Sequence, residues 1–321
     1  MVRALETRRR FFIGLTVALT GAALSASAAV DPALSALIPA DATMVSGVHV
    51  AQAKNSAFGR FVLSQMESDD AGFRKFITET GFDPRRDLTE LVVATVSSGE
   101  KMEPVIVGRG VFTPTRIMDL ARQHGAAITN YRGVDLASHK EGAIAFVDAS
   151  IAVMGNTSAV RAALDQRANS SKRLPESVTR KIAELSAAND AWFYSAASPA
   201  DFLGARIADP NLGGAMKEGL LQAVTGAAGG IKFTDSNARV TGEAITRSDK
   251  DATALADVFR FLAQIVQSQG GNRAGGAQDM AELLSKMQLS TDANVMKISI
   301  AIPESLLERV FARKPVRIAR R

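Results

Sequence analysis

The chain has 321 residues, with 38 Lys and Arg against 33 Asp and Glu, 46% hydrophobic residues and no cysteine. Its apolar fraction is ordinary for a globular chain and excludes long disorder and collagen-like structure, and its length suggests two domains of about 150 residues. Without thiols there are no disulfides, no thiolate metal sites and no cysteine nucleophile.

The formal net charge of +5 belongs to the two ends. Residues 1–28 carry +3 and residues 313–321 carry +5, which leaves the body between them at −3. An acidic body has no general field to attract polyanions, so no nucleic-acid partner is expected. The basic Thr7-Arg8-Arg9-Arg10, an apolar run over 11–24 and the small residues Ala26-Ser27-Ala28 form the three parts of an export signal, with cleavage expected near Ala29. The run has 14 residues and is interrupted by Gly14, Thr16, Thr20 and Gly21, short of the roughly 20 needed to span a bilayer. Arg8 and Arg9 ahead of Phe11-Phe12 also fit a twin-arginine motif, so the general secretory and twin-arginine routes both stand.

Alternating, β-branched residues predict a strand over 43–51. Phe58, Phe61, Val62 and Met66 then predict a helix over 55–66 that Asn55 or Ser56 can cap. A short helix with Phe73, Phe76 and Ile77 leads through Gly81-Phe82-Asp83-Pro84 to strands at 91–97 and 104–111, turned at 98–101. Thr113-Pro114 opens a helix that stops at His124-Gly125. Strands at 128–137 and 143–154 make a second hairpin, and Asn156-Thr157 caps a helix through Leu164. After a polar stretch at 165–175, the order repeats. A strand at 191–197 is followed by a helix opened by Ser198-Pro199, a helical piece at 218–224 and strands at 231–234 and 239–246. Ser248-Asp249 caps a long helix with Leu255, Val258, Phe259, Leu262, Ile265 and Val266 on one face. A glycine-rich break at 270–276, a helix at 280–287, a strand at 295–302 and a helix at 303–311 complete the body.

The expected fold class is α+β, two tandem ferredoxin-like (β-α-β-β-α-β) halves with antiparallel sheets. The boundaries are a signal peptide at 1–28, a first half at 29–165, a linker and short helix at 166–189, a second half at 190–312 and a basic tail at 313–321. Local matches between 44–59 and 191–204, and between 150–153 and 298–301, favour an internal repeat.

Catalytic motifs are missing. His49, His124 and His139 have no metal-ligand spacing; they read as a strand end, a helix C-terminus and a hairpin turn. No G-x-S-x-G elbow occurs, and Ser98-Gly99-Glu100-Lys101 spells S-x-x-K in a turn, where the lysine does not return to the serine. Gly108-Arg109-Gly110 lacks the third glycine of a dinucleotide fingerprint, with Thr113 in its place. Asp69-Asp70 and Asp249/Asp251 read as a linker and a helix start. No catalytic, cofactor-binding or metal residue is assigned, and no cofactor is expected. Trp192-Phe193-Tyr194 belongs in the core; Trp192 and Tyr194 share a face and are the pair to watch as a contact surface. Arg313, Lys314, Arg317, Arg320 and Arg321 read as a solvated end or as an electrostatic tether to anionic membrane or cell wall, worth about 1 kcal/mol per basic residue.

Leu37-Ile38-Pro39-Ala40-Asp41-Ala42, the hairpin from Ile144-Ala145-Phe146-Val147-Asp148 to Val153-Met154-Gly155, and the hairpin and helix over 231–267 resemble a loose class of uncharacterised exported bacterial proteins with duplicated α+β halves. The resemblance spans nearly the whole mature chain and brings no catalytic residue with it. The expectation is an exported protein of the periplasm or cell envelope, non-enzymatic, that binds a protein partner or an apolar ligand. The alternatives are an enzyme with a dispersed site using His49, His124 or His139, and a structural protein attached to the membrane by an uncleaved N-terminus and the basic tail.

Overall fold

The computed structural model describes residues 30–66, 71–98, 101–140, 142–169, 173–198, 221–234, 236–270 and 283–306. The export motif at Arg8 and Arg9, the tail from Arg313 to Arg321, Asp69-Asp70, the helix expected after Ser198-Pro199 and residues 271–276 lie outside them.

Asp31 accepts the amide proton of Ala33 and starts the short α1 (Pro32–Ser35), with Pro32 at the position where a missing N–H costs nothing. β1 (Ala42–Val48) leads into α2 (Val50–Ala53), α3 (Ala57–Met66), α4 (Ala71–Thr80) and α5 (Pro84–Asp87). β2 (Leu88–Ser98) and β3 (Lys101–Gly110) form the expected hairpin, and α6 (Pro114–Gln123) ends at Gly125, whose φ of 84° is the left-handed geometry that closes a helix. β4 (Ala127–Tyr131), β5 (Val134–His139), β6 (Gly142–Phe146) and β7 (Ile151–Asn156) follow, then α7 (Thr157–Ala168), capped by the Asn156 side chain on Ala159 N. α8 (Glu176–Ala188), β8 (Ala191–Ser195), β9 (Val224–Phe233), β10 (Asn237–Thr246), α9 (Asp249–Gly270), β11 (Gln288–Asp292) and β12 (Val295–Pro303) complete the order.

The protein is α+β with one large antiparallel sheet of twelve strands, in the order β11-β12-β10-β9-β8-β1-β2-β3-β7-β6-β5-β4. This corrects the ferredoxin-like expectation. In a split β-α-β the third strand lies between the two that flank the crossover helix, whereas here β1 pairs directly with β2, and β1, β2 and β3 lie side by side in sequence order. Two turns inside stretches read as single strands account for the difference. Arg132 and Gly133 have φ of 54° and 77°, the signs required by a two-residue hairpin turn, so 128–137 is the hairpin β4–β5. Asp148 accepts from the amide and hydroxyl of Ser150 at 2.6 and 2.7 Å and splits 143–154 into β6 and β7. The stretch expected as a linker and short helix, 166–189, holds α8, 13 residues long, whose Ile182 and Leu185 belong to the core.

β1 pairs with β8, so the first and second parts of the chain share one sheet. On one face a row of directly opposed residues runs Gly230, Trp192, Gly47, Val92, Val107, Val153, Ala145 and Leu136 across the strands. It is buried beneath α1, α7 and α8 through Leu34, Leu37, Val160, Leu164, Ile182 and Leu185. α6 covers the other face at the β4–β7 end through Met118 and Phe146, and α9 covers the β10–β12 end through Leu255, Ala256 and Met296. Between α6 and α9, Phe193 and Met154 on that face are 39% and 43% exposed. Among the described residues, no helix is long and apolar enough to cross a membrane.

Candidate functional site

α1, the end of α7 and α8 do not close completely over the sheet. They leave a cavity of about 530 Å³ walled by Val30, Pro32, Ile38, Leu174, Ile182 and Ala183, with Gln166, Arg167, Arg173 and Thr179 also lining it. Ile38 and Ile182 are nearly fully buried, so the cavity wall is continuous with the core. Apolar walls with a few polar groups are the usual makeup of a small-molecule site, and this volume lies in the usual range of about 300–1,000 Å³.

A buried polar cluster adjoins these elements along the chain. His49, the residue after β1, is 5% exposed; its Nε2 lies 2.9 Å from Ser186 Oγ and 3.2 Å from the Ser186 carbonyl oxygen. Ser186 sits one turn beyond Ile182 on α8. On the other side of the ring, His49 Nδ1 is 3.8 Å from Glu90 Oε1, an oxygen that is buried with no hydrogen-bond partner. The backbone amide of Asp31 donates to Glu90, and the Asp31 carboxylate pairs with Arg109 at 2.6 Å. Arg109 also reaches Ser150 Oγ at 3.3 Å.

Ser186, His49 and Glu90 have the identities of a hydrolytic triad, but their setting is that of a structural tie. Ser186 has no exposed surface, and it lies in the last turn of α8 rather than at a helix start or a strained elbow. A nucleophile needs room for substrate and donors aimed at the oxyanion. With Nε2 protonated, His49 instead donates to the carbonyl of Ser186, whose helical partner would be Asp190 N; that amide donates to Ile231 O. His49 thus fastens the end of α8 to the end of β1.

Burial pushes the Glu90 carboxyl above the ordinary carboxylate range, opposed by the positive potential of His49 and the Asp31 amide. A carboxyl raised on folding contributes its stability below the unfolded pKa of about 4.3 and loses that contribution as pH rises through the folded value. Glu90→Gln is therefore expected to raise the urea midpoint at pH 7, with the gain over the parent shrinking as pH falls toward 4. A lower midpoint at pH 7 would show that the charge attraction of His49 outweighs the burial of Glu90.

The three histidines do not assemble into one site. His139 Nδ1 lies 3.4 Å from the carbonyl of Gly125, beside His124 at the end of α6, whereas His49 belongs to the β1–β8 junction. β1 and β5 are five strand spacings apart, about 24 Å across the sheet. Among the described residues, no group of three or more His, Asp or Glu could hold a metal ion. Trp192 and Tyr194 do share a face, but it is the core face. Trp192 is 3% exposed and Tyr194 packs against the same cluster, so the pair expected as a contact surface belongs to the core, while Phe193 points to the opposite side. Gly108-Arg109-Gly110 lies within β3 between two antiparallel neighbours, with Arg109 engaged by Asp31. Asp251 lies in the first turn of α9, as expected, and bonds Ser248. The cavity is hidden in the sequence because its walls come from 30–38, 166–174 and 179–183; the local signal is the apolar spacing of Ile182 and Leu185 in the stretch expected as a linker and short helix.

The sheet and its cavity define an α+β protein with a large antiparallel sheet flanked by helices. No protein-family model matches the chain, and no curated protein matches it. Among solved structures, TP0453 in crystal form III aligns over 89% of this chain and 99% of that chain, with a TM-score of 0.52 and 12% identity. TP0453 in crystal form I aligns over 89% and 98%, with a TM-score of 0.49 and 13% identity. At such identity, the form III likeness is one of fold.

Proposed function

We propose that this is an exported, non-enzymatic binding protein of the periplasm or cell envelope, holding an apolar or amphiphilic ligand between α1, α7 and α8. The cavity of about 530 Å³ carries this reading, because its size and its buried apolar floor of Val30, Ile38 and Ile182, with polar groups at the rim, suit a small apolar or amphiphilic ligand. Export rests on the N-terminal basic, apolar and small-residue segments, and attachment to an anionic membrane or cell-wall surface on the C-terminal basic tail. We also read the two parts of the chain as an internal repeat: β1-β2-β3 and β8-β9-β10 each run side by side in sequence order and meet at the β1–β8 pair.

Native mass spectrometry of protein purified gently from its own envelope fraction tests both parts. The expected result is the mass of residues 29–321 plus a discrete small adduct. Ala183→Trp, which fills the cavity from a half-buried wall position, is expected to abolish the adduct while leaving the thermal midpoint within a few degrees of the parent. A bare mature mass, or only whole-protein multiples, overturns the small-ligand reading; an intact 321-residue mass overturns cleavage.

A further inference from the structure

The buried row of the core face does not end at β9. Beyond Gly230 it continues through Thr241, Ser299 and Gln288, directly opposed across β10, β12 and β11. The parallel row beside it runs Lys232, Arg239 and Ala301. The face thus changes from apolar to polar at β10, a pattern that does not suit a packed helix. Its acids already have cations: Glu243 pairs with Lys181 at 2.8 Å, Asp292 with Lys297 at 2.8 Å and Asp190 with Lys232 at 2.7 Å. Arg239 is exposed, and its side chain makes no ion pair or hydrogen bond with the described residues. It stands opposite the small Ala301, at a cleft of about 360 Å³ lined by Arg239, Lys286, Gln288, Ser299 and Ala301, with no carboxylate among them.

We propose that this cleft binds a small hydroxyl-bearing oxyanion, a sugar phosphate or a sugar acid. Guanidinium presents a planar pair of donors that match two oxygens of a phosphate or carboxylate, and the Lys286 ammonium adds a second positive charge. Ser299 and Gln288, opposed on adjacent strands, offer both donors and acceptors to hydroxyl groups. The site lies on the second part of the sheet and is independent of the apolar cavity.

Calorimetric titration of the full chain with glucose 6-phosphate, gluconate, glucose and inorganic phosphate tests it. Saturable binding of glucose 6-phosphate, gluconate or both is expected, weakening as salt is added, with glucose at least tenfold weaker. Binding by only one of the two supports the proposal and identifies the oxyanion. Arg239→Gln should weaken binding tenfold or more and Gln288→Ala severalfold, both with an unchanged thermal midpoint. The proposal is overturned if neither compound binds saturably at millimolar concentration, if Arg239→Gln retains the parent affinity, or if inorganic phosphate binds as tightly as glucose 6-phosphate, since the hydroxyl contacts would then contribute nothing.

Discussion

Trp192→Ala is expected to lower the unfolding free energy by about 3–5 kcal/mol. The indole is 3% exposed at the junction of the two parts of the chain, where β8 pairs with β1. Its strand neighbours on either side are Gly47 and Gly230. A Cβ placed at Gly47 would come within 2.5 Å of the ring, so the bare backbone there is what admits the indole. Two glycines flanking the hole have no side chains with which to collapse into it, which places the loss toward the upper end of that range. The same contact predicts that Gly47→Val is destabilising by about 1–3 kcal/mol through overpacking. Trp192→Phe distinguishes packing from hydrogen bonding. The indole Nε1 is buried without a partner, so phenylalanine removes an unpaired donor while retaining much of the ring, and its cost should be well under half that of alanine. Urea denaturation with an unchanged m-value reads all three variants. A loss below 1 kcal/mol for Trp192→Ala would mean that the β1–β8 junction is held by something other than this ring.

The elements that could be read from the sequence are those fixed by their own termini. α6 lies between Thr113-Pro114 and Gly125, and α7 starts where Asn156 caps it, because proline, glycine and asparagine set backbone geometry locally. Gly226, Gly229 and Gly230 dilute the apolar pattern of β9, so the sequence alone suggests a helix and a short strand there. These glycines answer to close approach: a Cβ at Gly229 would meet the Thr241 carbonyl at 2.5 Å, and one at Gly230 the Asn189 side chain at 2.3 Å. Strand order was hidden for a related reason. Tyr131-Arg132-Gly133-Val134 reads as part of a β-rich run until Gly133 is recognised as the second residue of a turn. With that turn in place, the chain doubles back as a meander. Of the candidate site almost nothing is legible, since the cavity walls come from three separate stretches of chain, and the neighbouring tie of His49 to Ser186 spans 137 positions and forms only through the β1–β8 pairing.

Glu304→Ala is expected to cost about 1–3 kcal/mol and to loosen α3, which lies near the other end of the chain. The first turn of any helix carries amide protons without helical partners. In α3, Ser56 Oγ accepts from Gly59 N at 2.9 Å, as its sequence position suggests, but the amide of Phe58 donates to Glu304 Oε2 at 2.8 Å across 246 positions. Glu304 is 3% exposed just past β12, so its removal takes from the Phe58 amide this acceptor and from the helix N-terminus a negative charge. The ring of Phe58 stacks on Phe233 of β9 at 5.7 Å, so the cap and the aromatic contact fasten the same turn to the second part of the sheet. Glu304→Gln keeps an acceptor in place and should lose only the charge contribution, about 0.3–1 kcal/mol. Hydrogen exchange at the Phe58 and Gly59 amides provides the local readout. Phe58 should exchange faster in the alanine variant than in the glutamine variant, and equal rates in both would rule out Glu304 as the cap. Because this contact and the β1–β8 pair both join the two parts of the chain, each variant should still unfold in a single transition, at a lower midpoint, rather than in two.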